Sequence, residues 1–228
     1  MSSQKQSLYK GLALIISFAA VLLLLFVPLF KGHNTLEYLD NLYNTISKGS
    51  ANYLPGLKEE ILQFKKREIA VSLPMADEKK AIQTAQLFSA GGGRALAEKK
   101  MLKIEGNMVD VLLNALDDAE KMYANQGEHI RHKYGYDERR VLFNWWSALK
   151  ALDFELSKQK LFKEAKLVAL VRNKAVETAY NYYGIEAQSV RDRYGIVIVS
   201  LFFYVLYTLW YGFGVLYLFE GLGLKLGH

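Results

Sequence analysis

Cysteine is absent from the 228 residues, which excludes a disulfide framework, a thiolate metal site and a cysteine nucleophile. Histidine is scarce, and the only pair close in sequence stands in Glu128-His129-Ile130-Arg131-His132. A zincin site needs two His four apart around a Glu, and a di-iron bundle needs Glu-x-x-His twice. Here the two His are three apart, the Glu precedes them, and no second copy follows. Glu128, His129 and His132 are the remaining metal candidates, and the flanking Gly127 and Gly135 suggest a polar loop or a single turn. His33 lies just past the first apolar run, where a haem ligand could sit, but no second intramembrane His is there to pair with it. Gly91-Gly92-Gly93-Arg94 lacks the Lys-Ser/Thr ending of a phosphate loop and reads as a turn. No Ser stands in an elbow-like context. The expectation is therefore a protein without cofactor or catalytic set, not an enzyme.

A concentrated basic face is also missing. The net charge is +6, with both signs mixed along the chain, and the basic runs are short: Lys65-Lys66-Arg67 and Arg139-Arg140. Nucleic acid is not an expected partner.

Two segments contain no charge at all, Leu12–Phe30 and Tyr194–Phe219. About 20 apolar residues in a helix cross a bilayer core. The first run is too long for a signal peptide and ends Val27-Pro28-Leu29-Phe30-Lys31, without the small residues of a cleavage site. It reads as an uncleaved anchor. The second run is rich in aromatic residues, and Tyr194 and Tyr217 suit interface anchoring. Ser200, Tyr204, Tyr207, Thr208, Tyr211 and Gly214 recur at helical spacing and place hydroxyls and small side chains on one stripe. Such a stripe faces protein more readily than lipid. Its expected partner is the first span, which offers Ala13, Ser17 and Ala20, with another membrane subunit or a quinone or haem pocket as the alternatives. The tails carry Lys5, Lys10 and Lys225, and short basic tails stay on the cytoplasmic side. The expected location is a bacterial inner membrane, with both termini cytoplasmic and residues 31–193 periplasmic.

That middle segment reads as mostly helical. Asn34 with Glu37 forms a capping box, Pro55 opens a helix, and Asp77 starts another that runs to the glycines. Ile69–Leu73 and Lys100–Glu105 suit a pair of short strands. From Asn107 to Asn125, Met108, Val111, Leu112, Ala115, Ala119, Met122 and Tyr123 mark an apolar face, with Asp110, Asn114, Asp117, Asp118 and Lys121 opposite; Gly127 is the expected stop. Asp137 caps the longest element. No Gly or Pro interrupts Glu138 to Tyr183, and Leu142, Trp145, Leu149, Leu152 and Leu156 form a coiled-coil seam. The seam then slips to Leu161, Ala165, Val168, Ala175, Ala179 and Tyr182. Asp153, Glu155, Glu164 and Glu177 alternate with Lys and read as a solvated face. Trp145 belongs to the seam. Trp146, about 100° around the helix, is the candidate for a partner contact.

The fold class expected is all-α, a minor two-stranded β element being the exception. Two transmembrane helices (12–30 and 194–220) flank an extramembrane helical bundle (31–193) with one long coiled-coil-like helix near 138–183. Short tails, 1–11 and 221–228, complete the chain. The order of span, helical domain and span resembles the sensor half of bacterial transmembrane receptors in topology alone. With nine residues after the second run, a signalling output is not expected in this sequence. The function expected is a non-catalytic accessory or scaffold subunit of a membrane complex, partnered by a membrane protein or a second copy. A ligand-sensing membrane module acting through a partner and a redox or metal-binding membrane subunit are the alternatives.

Overall fold

The computed structural model describes residues 3–50, 52–64 and 67–224. It is mostly helical with one small sheet. The chain forms two compact units: Met1–Gly49 with Ala187–His228, and Ser50–Glu186. Lys65, Lys66, Lys225 and His228 lie outside the described residues.

The first unit holds two helices long and apolar enough to cross a membrane, α1 (Ser3–Leu25) and α10 (Val190–Gly221). Both differ in extent from the uncharged runs. Helix α1 takes in the tail from Ser3 and stops at Leu25, short of the expected Phe30. The residue before a proline disfavours the α conformation and Pro28 has no N–H to donate, so the chain leaves the helix ahead of it. Lys31 (φ 50°) and Gly32 (φ 91°) then turn the chain, with Phe30 and His33 exchanging backbone hydrogen bonds. Ser189 caps α10, its side chain accepting from the Arg191 N–H. Helix α2 (Thr35–Ser50) opens on the expected box: Asn34 N–H donates to Glu37 Oε2 (3.1 Å) and Glu37 N–H to Asn34 Oδ1 (2.9 Å).

The second unit begins with α3 (Leu54–Gln63), Pro55 lying in its first turn. Strands β1 (Glu68–Pro74), β2 (Arg94–Glu98) and β3 (Met101–Asn107) form an antiparallel sheet in the order β1-β3-β2. Three strands replace the expected two. Strand β2 was hidden because its inward residues are Ala95 and Ala97, which carry no β signal; it pairs Ala95 with Ile104 across β3. Val71, Leu73, Leu102 and Ile104 alternate into the core. Helix α4 (Glu78–Ala90) is capped by Asp77, whose side chain accepts from Lys80 N–H, and the glycines turn the chain into β2.

Helix α5 (Met108–Tyr123) buries the predicted apolar face. Its stop is Asn125 (φ 61°) rather than Gly127; Gln126 N–H reaches Lys121 O, as in a Schellman cap. Gly127 instead begins α6 (Gly127–Tyr134), a two-turn helix where a loop or single turn was expected.

The expected helix from 138 to 183 is not continuous. Helix α7 (Glu138–Lys158) ends at Gln159, and the chain reverses into α8 (Phe162–Val171), a π segment (Arg172–Glu177) and α9 (Thr178–Tyr182). Lys160 takes a left-handed conformation (φ 61°). Leu161 N–H donates to Leu156 O (2.9 Å) and Lys160 N–H to Ser157 O (3.0 Å). This is the Schellman pattern, with Leu156 and Leu161 as its apolar contact. The slip in the seam is the turn of a helical hairpin. Both stripes are buried, Leu142 through Leu156 on one limb and Ala165, Val168, Ala175 and Ala179 on the other.

The acidic face expected along this segment is only partly solvated. Glu164 is buried and ion-paired with Arg67, Asp153 is paired with Arg172 at 3.1 Å, and Glu155 with Lys158 at 2.8 Å.

Candidate functional site

Each unit presents a candidate surface, and the second also encloses a polar cluster that the sequence reading put on the outside. Asp118 has no solvent exposure. Its Oδ2 accepts from Tyr134 OH (2.6 Å) and Trp145 Nε1 (2.8 Å), and its Oδ1 accepts from Lys133 Nζ (2.7 Å). Lys133 Nζ also donates to Asn114 Oδ1 (2.6 Å), and Asn114 Nδ2 donates to Leu87 O (3.1 Å). The carboxylate thus ties α5 to α6 and α7, and Asn114 extends the cluster to α4. Burial and the Asp118 charge raise the Tyr134 pKa, so the phenol stays a donor. Burial also pushes Tyr136 up to about 12. The assignment of Asp118 and Asn114 to a solvated face is corrected: Asp118 follows Val111 and Ala115 at +7 and +3, on the apolar side of α5. A fully partnered carboxylate of this kind holds a fold together.

A second cluster closes the same end. Glu138 is buried, receives two hydrogen bonds of 2.9 Å from Arg131, and accepts from Tyr183 OH at 3.0 Å. Burial opposes its ionisation, but these bonds and one from its own backbone outweigh burial and hold its pKa below the ordinary carboxyl value. Glu138 and Tyr183 fill the space where a Cβ on residue 127 would stand, which explains a glycine inside α6.

Glu128, His129 and His132 lie exposed on α6, and among the described residues no three His, Asp or Glu side chains converge to hold a metal. His33 is exposed and stands 3.5 Å from Glu37.

Trp145 and Trp146 go opposite ways. Trp145 is fully buried against Phe88, with ring centroids 5.3 Å apart. Trp146 is half-buried, donates from Nε1 to Glu177 Oε2 (3.0 Å) and stacks beside Phe143. Lys150 Nζ sits 5.1 Å from the Trp146 ring, and Lys80 Nζ 4.7 Å from the Phe143 ring. Phe143, Trp146, Glu177, Tyr180 and Asn181 surround a hollow of about 290 Å³.

In the first unit α1 and α10 pack antiparallel. Gly11 lies against Leu218, Gly214 against Ile15 and Gly221 against Leu8. Small residues let the two backbones approach. The six-residue stripe of α10 divides. Ser200, Tyr207 and Gly214, at i, i+7 and i+14, face inward: Ser200 Oγ hydrogen-bonds Tyr43 OH (2.6 Å), Tyr207 stacks on Phe18 (4.2 Å) and donates to Phe18 O (3.3 Å), and Gly214 is buried. Tyr204, Thr208 and Tyr211 lie along the outer side. Tyr204 is 68% exposed and Tyr211 50%, although the Tyr211 ring still reaches Phe18 at 5.1 Å. Thr208 donates to Tyr204 O of its own helix (2.8 Å). Among the described residues neither the Tyr204 nor the Tyr211 hydroxyl has a partner. The face of α1 that meets α10 is Leu8, Gly11, Leu14, Ile15 and Phe18, not the expected Ala13, Ser17 and Ala20. Ala13 and Ala20 are exposed, and Ser17 Oγ is spent on Ala13 O (2.7 Å). The sequence signal for the true face was the run of larger apolar residues at 3–4 spacing around Gly11.

No protein-family model matches this chain, and no curated protein or solved structure does.

Proposed function

We propose that this chain is a non-catalytic accessory or scaffold subunit of a membrane protein complex. Helices α1 and α10 cross the bilayer, both termini are cytoplasmic, and the middle of the chain docks its partner on the periplasmic side of a bacterial inner membrane. The observation that carries the reading is the outer row of α10: Tyr204, Thr208 and Tyr211, which stay exposed beside α1 although the Tyr211 ring touches Phe18. The uncharged run of α10 is centred between Leu206 and Tyr207. Tyr204 is then about 4 Å and Tyr211 about 7 Å from mid-membrane, at 1.5 Å per residue. A core about 30 Å thick puts both well short of the interface where a Tyr normally rests its hydroxyl. A phenol among lipid tails lacks the hydrogen bond that water would supply, which costs of the order of 1–3 kcal/mol. A second membrane protein with a polar side chain at this depth supplies it. The basic tail residues Lys5, Lys10 and Lys225 support the sidedness.

The test is co-purification of the tagged full-length chain from a mild detergent, with stoichiometry by mass spectrometry and mass by light scattering. A stoichiometric membrane partner or a defined oligomer is expected, with at least a tenfold loss when Tyr204→Phe, Thr208→Val and Tyr211→Phe are combined. Elution as a lone monomer overturns the reading.

A further inference from the structure

The inner side of α7 is fully used: Leu142, Trp145, Leu149, Leu152 and Leu156 are all buried. The outer side nevertheless carries Phe143 (41% exposed), Trp146 and Phe154 (61% exposed). Single exposed apolar side chains are ordinary, but three aromatic rings along one helix, beside hollows, mark a contact surface. Two hollows lie along this side. One, of about 290 Å³, has Phe143 and Trp146 as its α7 wall, with Tyr180 beyond. The other, of about 630 Å³, has Ser147, Lys150, Phe154 and Ser157 on α7 and Arg172 from the π segment. Their α7 walls are centred seven to eight residues apart, or about 11 Å. An α-helix laid alongside presents its i and i+7 side chains about 10.5 Å apart, and helix-in-groove recognition uses anchors at that spacing.

The charges select the partner. Each ring has a cation over it: Lys80 and Arg140 at Phe143, Lys150 at Trp146 (5.1 Å) and Lys158 at Phe154 (4.5 Å). The carboxylates on this side are engaged, Asp153 by Arg172, Glu155 by Lys158 and Glu177 by Trp146. Among the described residues no carboxylate lies within ion-pair distance of Lys80, Arg140 or Lys150. Burial and the neighbouring Arg140 press the Lys80 pKa down more than Asp77 raises it, so a further carboxylate relieves an unfavourable field.

We infer that the outer face of α7, with the π segment and α9 beside it, docks an acidic amphipathic helix of a partner protein, apolar side chains in the two hollows and Asp or Glu against Lys80, Arg140 and Lys150. The inference rests on the accessory-subunit reading and names the chemistry of one contact. Its test is separate from the co-purification. The full chain in zwitterionic nanodiscs is titrated against a fluorescent 18-residue helix with Leu at i, i+3, i+7, i+10 and i+14 and Glu on the flanks. The same peptide with Lys for Glu serves as its counterpart. Saturable binding of the acidic peptide is expected, reduced at least tenfold by Lys150→Glu and by Phe154→Ser, both exposed positions, with no saturable binding of the basic peptide. Equal binding of both peptides, binding of neither, or binding indifferent to both substitutions overturns the inference. So does recruitment of anionic vesicles without peptide binding, which assigns the face to lipid. Failure here with a stoichiometric partner still co-purifying breaks the helix-docking inference alone.

Discussion

The two units treat polar side chains in opposite ways. In the second unit a carboxylate is taken fully inside and given three donors from three side chains, as Asp118 receives Tyr134, Trp145 and Lys133. In the first unit two phenol groups are left on the outside of an apolar helix with no hydrogen-bond partner among the described residues, Tyr204 and Tyr211. Solvent decides what each arrangement means. A polar group facing water is satisfied wherever it points, so on the second unit the informative polar residue is the buried one. If α10 crosses a membrane, as proposed, hydrocarbon inverts the rule, and there the exposed hydroxyl is the informative one. The same logic applies to apolar groups: Phe154 at 61% exposure is notable on a helix rich in charged residues, whereas Leu23 at 69% is ordinary on a helix long and apolar enough to cross a membrane.

The sharpest way to break this comparison is Asp118→Ala. If the cluster holds four helices together, the substitution takes from Lys133 its counter-charge, leaving it the hydrogen bond to Asn114, and strands two buried donors, Tyr134 and Trp145. Removing one partner of a buried, hydrogen-bonded charge costs about 3–5 kcal/mol. Urea unfolding of the full chain, followed by tryptophan fluorescence, measures it. A loss under about 1 kcal/mol would mean that the cluster is as open to water as a surface pair.

The helix pair tests the other side. A Cβ on Gly11 would stand 2.6 Å from the backbone nitrogen of Leu218, which cannot move without moving the helix. A Cβ on Gly214 would meet side chains and not backbone as its nearest neighbours, Ile15 at 2.7 and 3.1 Å and Leu14 Cβ at 3.4 Å, and the Ile15 side chain can rotate away. Gly11→Ala is expected to destabilise the pair by about 1–3 kcal/mol, the range for overpacking, and Gly214→Ala by less. With no native cysteine, the effect reads out as cross-linking yield between cysteines introduced one on each helix. Equal effects at the two glycines would show that the helices do not meet in this register.

Much of the local structure was legible because caps and apolar spacing are local signals. The Asn34–Glu37 box, Pro55, Asp77, Asp137 and the buried face of α5 all stand where their residue types point. What escaped is set by tertiary contact. Strand β2 owes its strand state to pairing with β3, not to its own Arg-Ala-Leu-Ala-Glu sequence. Asp118 is inside because three partners await it, and its helical position among apolar residues was the overlooked clue. In the candidate surfaces, Trp146 and the α10 hydroxyls could be named from spacing, but which of them α1 covers could not. That depends on which face of α1 turns inward, and α1 is apolar nearly all round.

The smallest effect separates two accounts of the 138–183 segment by sign. In a continuous helix Lys160 is an interior position, and Lys160→Gly destabilises by about 0.5–1 kcal/mol through helix propensity. In the hairpin Lys160 holds φ 61° at the cap of α7, where a side chain carries a left-handed cost of about 1 kcal/mol that glycine avoids. Lys160→Gly is then expected to stabilise by about 0.5–1 kcal/mol, since the relief of the cap exceeds the added freedom of the unfolded chain. Lys160→Val is expected to destabilise, because a β-branched side chain is worse still in that region. Urea midpoints of the two variants against the parent decide it. A stabilising glycine together with a destabilising valine fits only the reversal at Gln159–Leu161, and that reversal is what sets the π segment and α9 beside the outer face of α7.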